Sequence, residues 1–136
     1  RLILARPFHV YGAGECPSRF WPSLVKAATS GQDFFMSSGA QVRDFQPVEQ
    51  VAEQLLAELE YKNTEPGIPL IVNLGNGRAT SLREFAQKEW TRLGAKGKLI
   101  PGSIAYRSNE VMRYVPAITE SPQLTDLQEA AKNPTR

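Results

Sequence analysis

One cysteine, Cys16, stands in a chain of 136 residues. That count excludes an internal disulfide framework and is compatible with a reducing cytoplasm. No stretch approaches the roughly 18 consecutive apolar residues that a membrane span requires, so a soluble chain without membrane contact is expected. The opening Arg1-Leu2-Ile3-Leu4-Ala5-Arg6 is too short for the apolar region of a signal peptide and reads as the interior of a strand. An excess of one charge is missing as well. Sixteen Lys and Arg face fourteen Asp and Glu with no basic run, and nucleic acid is not an expected partner. Internal repeats and low-complexity tracts are absent, and no metal-ligand set is assigned. Two glycine groups imitate a nucleotide loop without being one. After Gly12 and Gly14 comes Cys16-Pro17 instead of a helix, and Thr80 stands where Gly75-Asn76-Gly77 would need a third glycine.

What is present is organised around residues 39–60, where a strand pattern passes into a helix pattern. Apolar and polar residues alternate through Gln41-Val42-Arg43-Asp44-Phe45, as a half-buried strand requires. From Val48 the apolar positions move to helical spacing at Val51, Ala52, Leu55, Leu56 and Leu59, which predicts a helix buried on that face. Pro47 presets φ for the helix start and Glu49 puts a negative charge in its first turn. Arg43 therefore stands where strand becomes helix, a place suited to an anionic ligand. A plain Arg43–Asp44 surface pair accounts for the same residues.

The remaining elements follow in order. Arg1 to Ala5 reads as a buried parallel strand that Arg6-Pro7 terminates. Ser18 is placed to cap a helix with Phe20, Trp21, Leu24, Val25 and Ala28 on its apolar face and Gly31 at its end. Asp33-Phe34-Phe35-Met36 reads as a short strand before the Ser37-Ser38-Gly39 turn, and residues 61–67 as an exposed loop. Leu70 to Gly75 predicts a buried strand. Ser81 and Glu84 form a capping box for a helix with Leu82, Phe85, Ala86, Trp90 and Leu93 inward and Gly94 as its stop. Extended chain is expected at Leu99-Ile100-Pro101 and Ile104-Ala105-Tyr106, and two helical turns at 124–131.

Several of these segments resemble motifs of the extended short-chain dehydrogenase/reductases, the nucleotide-sugar epimerases and dehydratases. Val42-Arg43-Asp44-Phe45 with Val48, Val51 and Ala52 is similar to V-R-D-F/W-x-x-V-x-D-x-A, whose arginine contacts the diphosphate of the nucleotide sugar; Glu49 and Gln50 depart from the acids usual there. The segment from Arg6 to Gly14 resembles R-x-x-N-V-Y-G-x-G. That match implies nicotinamide contacts for Pro7 and Phe8 and a substrate hydrogen bond for His9, which replaces the motif's Asn. Neutral histidine can still donate from one ring nitrogen, and a purely structural His9 fits equally. Arg19-Phe20-Trp21-Pro22-Ser23-Leu24 resembles R-L-I-P-S-L, which implies nucleotide contacts for Arg19 and Phe20, while Trp21 reads as core. The family places alternate residues of the next strand around the base, which maps onto Phe34 and Met36, with Phe35 facing the core.

Asn73 and Ser81 fall in a segment like Y-N-V-G-x-G-x-x-T-S-L-x-E, where they satisfy backbone groups. Arg107-Ser108-Asn109-Glu110-Val111-Met112-Arg113 resembles R-P-G-E-V-x-R, and the match implies that Arg113 closes on the diphosphate opposite Arg43. Pro116-Ala117 replaces the family's Ala-Asp, and the L-G-W-x-P ending is not found.

The resemblance spans roughly Arg1 to Val115, and the succession of its motifs is more specific than any one of them. A glycine-rich βαβ unit and a Tyr-x-x-x-Lys, which bind the dinucleotide and move the proton in this family, are not found. The resemblance therefore implies that residues 1–136 are the C-terminal, nucleotide-sugar-binding part of an NAD(P)-dependent epimerase or 4,6-dehydratase, with the N-terminal dinucleotide-binding part absent. The expected fold is α/β, carrying the last strands of an incomplete Rossmann sheet, with Leu2–Ala5 and Leu70–Leu74 left as orphans. NAD or NADP is expected in the complete protein and none on this fragment, which alone should not turn over. Expected partners are a nucleoside-diphosphate sugar, the missing half and a second copy of the chain. The alternative from another class is a stand-alone nucleotide- or protein-interaction module without catalysis.

Overall fold

The computed structural model describes residues 2–60 and 65–117. Part of the expected loop at 61–67 and the helix expected at 124–131 lie outside them. The fold is α/β, with three helices and nine short strands among the described residues. Its elements run β1 (Ile3–Pro7), β2 (His9–Tyr11), α1 (Phe20–Ser30), β3 (Phe34–Met36), β4 (Val42–Arg43), β5 (Phe45–Pro47) and α2 (Val48–Leu59). Then follow β6 (Leu70–Leu74), β7 (Thr80–Ser81), α3 (Leu82–Arg92), β8 (Leu99–Pro101) and β9 (Arg113–Tyr114).

Parallel pairing dominates. β1 lies along β6 with Ile3 opposite Leu70 and Pro7 opposite Leu74. β2 pairs with β5, and β3 with β8, each in parallel register. The small sheet β7-β4-β9 is mixed, antiparallel at β4–β7 and parallel at β4–β9. The strands expected as orphans are thus each other's partners. They are also only half-buried. Ile3, Ala5, Leu70, Val72 and Leu74 pack with Val51 and Val10, whereas Leu2, Leu4 and Ile71 on the opposite face are exposed.

α3 forms as its local chemistry dictates. Ser81 Oγ accepts from Glu84 N at 3.2 Å while Glu84 Oε2 accepts from Ser81 N at 3.0 Å, which satisfies two donors of the first turn. Leu82, Phe85, Ala86 and Trp90 then enter the larger core, where full burial of a Leu or Phe stabilises by about 1.5–3 kcal/mol. Opposite them lie Leu24, Ala27 and Ala28 of α1, Met36 and Phe45. Phe45 and Phe85 stack at 4.0 Å, and Tyr11 meets the Phe85 ring edge-on at 4.8 Å. Gly31 stops α1 in the left-handed conformation at φ 70°, a region open to glycine without a Cβ clash.

Five local expectations need correction. Arg6-Pro7 does not terminate the first strand, since β1 runs on to Pro7 opposite Leu74. The strand drawn through 41–45 is broken at Asp44, because its two halves pair with different partners, β4 with β7 and β9 and β5 with β2. Ser18 does not cap α1; Arg19 holds that position without a side-chain hydrogen bond. Phe35 does not face the core but is 54% exposed, since a three-residue strand alternates and Met36 takes the inward place. The apolar face expected on α2 is turned the other way. Val51 is buried, but Ala52, Leu55, Leu56 and Leu59 are exposed, and Glu58 is buried in their stead.

Candidate functional site

A cleft of about 470 Å³ opens between α1, the β3–β4 connection and the chain between β8 and β9. Local pairing sets its walls. The His9–Phe45 register holds His9 edge-on against the Phe45 ring, at 4.9 Å between centroids, so the imidazole projects from the aromatic core into the cleft. Phe20 comes from the first turn of α1 and meets Phe34 of β3 edge-on at 5.5 Å. Phe35, exposed to solvent, and Met36 complete that apolar side. The opposite wall is polar and carries Tyr106, Arg107 and Glu110.

Arg43 is the best-held cation of the cleft. Its Nη2 donates to Glu110 Oε1 at 2.9 Å and its Nη1 to the Val42 carbonyl at 2.9 Å. The Arg43 side chain is 12% exposed and that of Glu110 23%, so the pair is shielded from much of the solvent screening that weakens surface pairs. A guanidinium has five N–H donors, and these two bonds leave three for a ligand. The Arg43–Asp44 surface pair does not form. Asp44 is fully buried, and its Oδ2 accepts from the backbone of Asn76 at 2.8 Å and Gly77 at 2.9 Å. Burial pushes its carboxyl above the ordinary range against the pull of those two N–H groups. The 75–77 loop, glycine-rich without being a fingerprint, is therefore wrapped on a carboxylate. A Cβ at Gly75 would stand 2.7 Å from Asp44 Oδ2.

His9 is held neutral. Burial, followed by the positive charges of Arg19 and Arg43, lowers its pKa to about 4. Neutral imidazole donates from one nitrogen and accepts at the other, so near pH 7 His9 offers a ligand hydrogen bonds rather than charge.

The structure brings His9, Phe20, Phe34, Met36 and Arg43 together around this cleft. It leaves four other expected site residues outside the lining. Arg19 pairs with Glu15 at 2.8 Å and reaches His9 through its charge alone. Arg113 is exposed on β9, opposite Val42 in the parallel register, so the pleat sends it to the sheet face away from Arg43. Pro7 lies at the carboxyl end of β1, and Phe8 stacks on Tyr114 at 4.7 Å. The second guanidinium of the cleft is Arg107, six positions before Arg113. Both arginines belong to one segment, 107–113, and only the path of the chain after β8 selects between them.

A family model described as NAD dependent epimerase/dehydratase family matches residues 1–75. No curated protein matches the sequence. The solved structure of MoeE5 in complex with UDP-glucuronic acid and NAD is similar, with 24% identity and a TM-score of 0.70, over 85% of this chain and 38% of that one. UDP-glucose 4-epimerase of Thermotoga maritima, solved with UDP-glucose, matches with 19% identity and a TM-score of 0.72, over 89% and 38%. UDP-glucuronic acid 4-epimerase from Bacillus cereus, in complex with UDP-glucuronic acid and NAD, matches with 22% identity and a TM-score of 0.67, over 93% and 38%. These likenesses show the fold, and the chain spans 38% of the length of each of the three proteins.

Proposed function

The chain belongs to the NAD dependent epimerase/dehydratase family, and we propose that it is the nucleotide-sugar-holding part of an epimerase or 4,6-dehydratase. One observation carries this reading. Two guanidiniums from distant segments, Arg43 and Arg107, open onto a single cleft with neutral His9 and an aromatic wall of Phe20, Phe34 and Phe35. A diphosphate has enough oxygens for two planar forks, and aromatic faces suit a flat base. In this reading Arg43 and Arg107 hold the diphosphate, His9 donates a hydrogen bond to the substrate, and none of the three acts as acid or base.

The dinucleotide belongs with the remainder of the protein. Where the carboxyl ends of parallel β1 and β6 lie side by side, Pro7 is exposed and Phe8 half-buried, which fits an edge contact in the crevice that α/β sheets use for ligands. It does not fit a phosphate cradle, for which a glycine-rich loop would be needed. NAD or NADP held by the missing half would supply removal and return of the sugar hydride. Exposure of Leu4 and Ile71 on the outer face of β1–β6 supports that half as the covering partner, because parallel sheets are ordinarily covered on both faces.

Calorimetry of the full-length protein with UDP tests the reading. Hydrogen bonds to charged partners contribute about 1.5–3 kcal/mol each, so Arg43→Ala and Arg107→Ala should each weaken UDP binding roughly ten- to more than a hundredfold. Arg113→Ala decides whether Arg113 joins the clamp. Unchanged UDP affinity in both the Arg43 and Arg107 variants would overturn the assignment.

A further inference from the structure

Arg107 sits in the connection between β8 and β9, and that connection is tied down at its two ends. Ser103 and Ile104 donate their backbone N–H groups to the Met36 carbonyl at 3.1 and 3.3 Å, and the Met112 carbonyl accepts from Val42 N at 2.7 Å. Glu110 adds its pair with Arg43. Between Ile104 and Glu110, a single side chain among the described residues bonds to another element. Tyr106 Oη accepts from the backbone N–H of Ala40 at 2.8 Å and shares a hydrogen bond with Ser38 Oγ at 2.5 Å. Both partners belong to the β3–β4 connection, whose Ser37 and Gln41 line the cleft. The Arg107 side chain makes no ion pair or hydrogen bond of its own among the described residues, so the loop backbone alone sets how far its guanidinium reaches.

We propose that Tyr106 is the positioning residue for anion capture: its hydroxyl clasps the Arg107 loop to Ser38 and Ala40 of the β3–β4 connection, holding the Arg107 guanidinium at the cleft that Arg43 also lines. This rests on the diphosphate reading above. The hydroxyl is a two-sided connector, with lone pairs for the Ala40 N–H and a proton to share with Ser38. Phenylalanine in its place keeps the ring and its packing but removes the connection. Arg107 then samples many positions, and closing on a phosphate costs ordering that the clasp would have settled beforehand. Because Tyr106 works through Arg107, its influence should fall on the phosphates of a ligand and spare the nucleoside.

Calorimetry on the full-length protein with UDP and with uridine separates these roles. Tyr106→Phe should weaken UDP about three- to tenfold, the worth of a hydrogen bond, and leave uridine affinity unchanged. Ser38→Ala, which keeps the Ala40 N–H, should cost less. In an Arg107→Ala background the Tyr106→Phe change should have no further effect on UDP. Without ligand, trypsin should cut after Arg107 faster in Tyr106→Phe than in the parent. UDP binding equal to the parent's would overturn the proposal, and so would losses that multiply in the double variant or a matching loss of uridine binding. If the parent binds no UDP, the diphosphate reading itself falls, and an unchanged cleavage rate at Arg107 would separately sink the clasp.

Discussion

Glu110 Oε1 lies 2.9 Å from Arg43 Nη2, across 67 positions of sequence, and this pair joins the strand β4 to the wall that carries Arg107. A second bond of the same guanidinium, from Nη1 to the Val42 carbonyl, fixes the plane of the fork. Arg43 is therefore oriented before any ligand arrives, a condition for tight anion binding.

Arg43→Lys separates charge from geometry. An ammonium can keep contact with Glu110 but cannot hold Val42 O and Glu110 in one plane, so UDP affinity should recover only partly relative to Arg43→Ala. Calorimetry against both variants measures this. Full recovery by lysine would show that point charge suffices at this position.

Asp44 should matter for stability more than for binding. Asp44→Ala strands the N–H groups of Asn76 and Gly77, and each unsatisfied buried donor costs about 1–3 kcal/mol. Asp44→Asn keeps an oxygen for both donors and removes a buried charge, so it should cost less than half as much. Urea denaturation of the full-length protein gives both values, and equal losses would mean that the charge itself is needed.

His9 predicts a pH dependence. Its folded pKa, about 4, lies below the ordinary 6.5, so between those values the unfolded chain binds the proton and the folded chain does not. Stability from this group is fully present above about pH 6.5 and is lost as the pH falls towards 4, by at most about 3 kcal/mol. His9→Asn, which removes the titrating group, should flatten the stability curve in that window. Denaturation midpoints at a series of pH values read the slope, and an unaltered slope would show that His9 is not held neutral.

Residues 1–136 expressed alone should associate. Leu4 and Ile71 on the outer face of β1–β6 and Leu56 and Leu59 on α2 are exposed, and among the described residues β1 and β6 each keep an unpaired edge. Sedimentation should show mass rising with concentration, and Leu56→Lys with Ile71→Thr should reduce it. A sharp, concentration-independent unfolding transition of a monomer would count against an uncovered face.

The α3 capping box, its inward Leu82, Phe85, Ala86 and Trp90, and the glycine stops after α1 and α3 were legible in the sequence. Each rests on residues three to four positions apart, whose hydrogen bonds and burial are settled by helical geometry. The apolar runs of β1 and β6 were legible as strands, but not their pairing with each other or their exposed outer face. Tertiary structure decided the rest. Alternation through 41–45 looked like one strand, but Asp44 is drawn inward by the distant Asn76 and Gly77, and the strand breaks there. α2 carries its leucines outward: Val51 is its buried member of the β1–β6 cluster, and Leu55, Leu56 and Leu59 are exposed. Arg107 and Arg113 were equivalent as charges in one segment. The parallel register seats Arg113 opposite Val42, outside the cleft lining, and the β8–β9 connection puts Arg107 in that lining. Face and reach across a sheet depend on which strand pairs with which, and a shift of one residue reverses them. That information lies in contacts between residues more than sixty positions apart and in no local pattern.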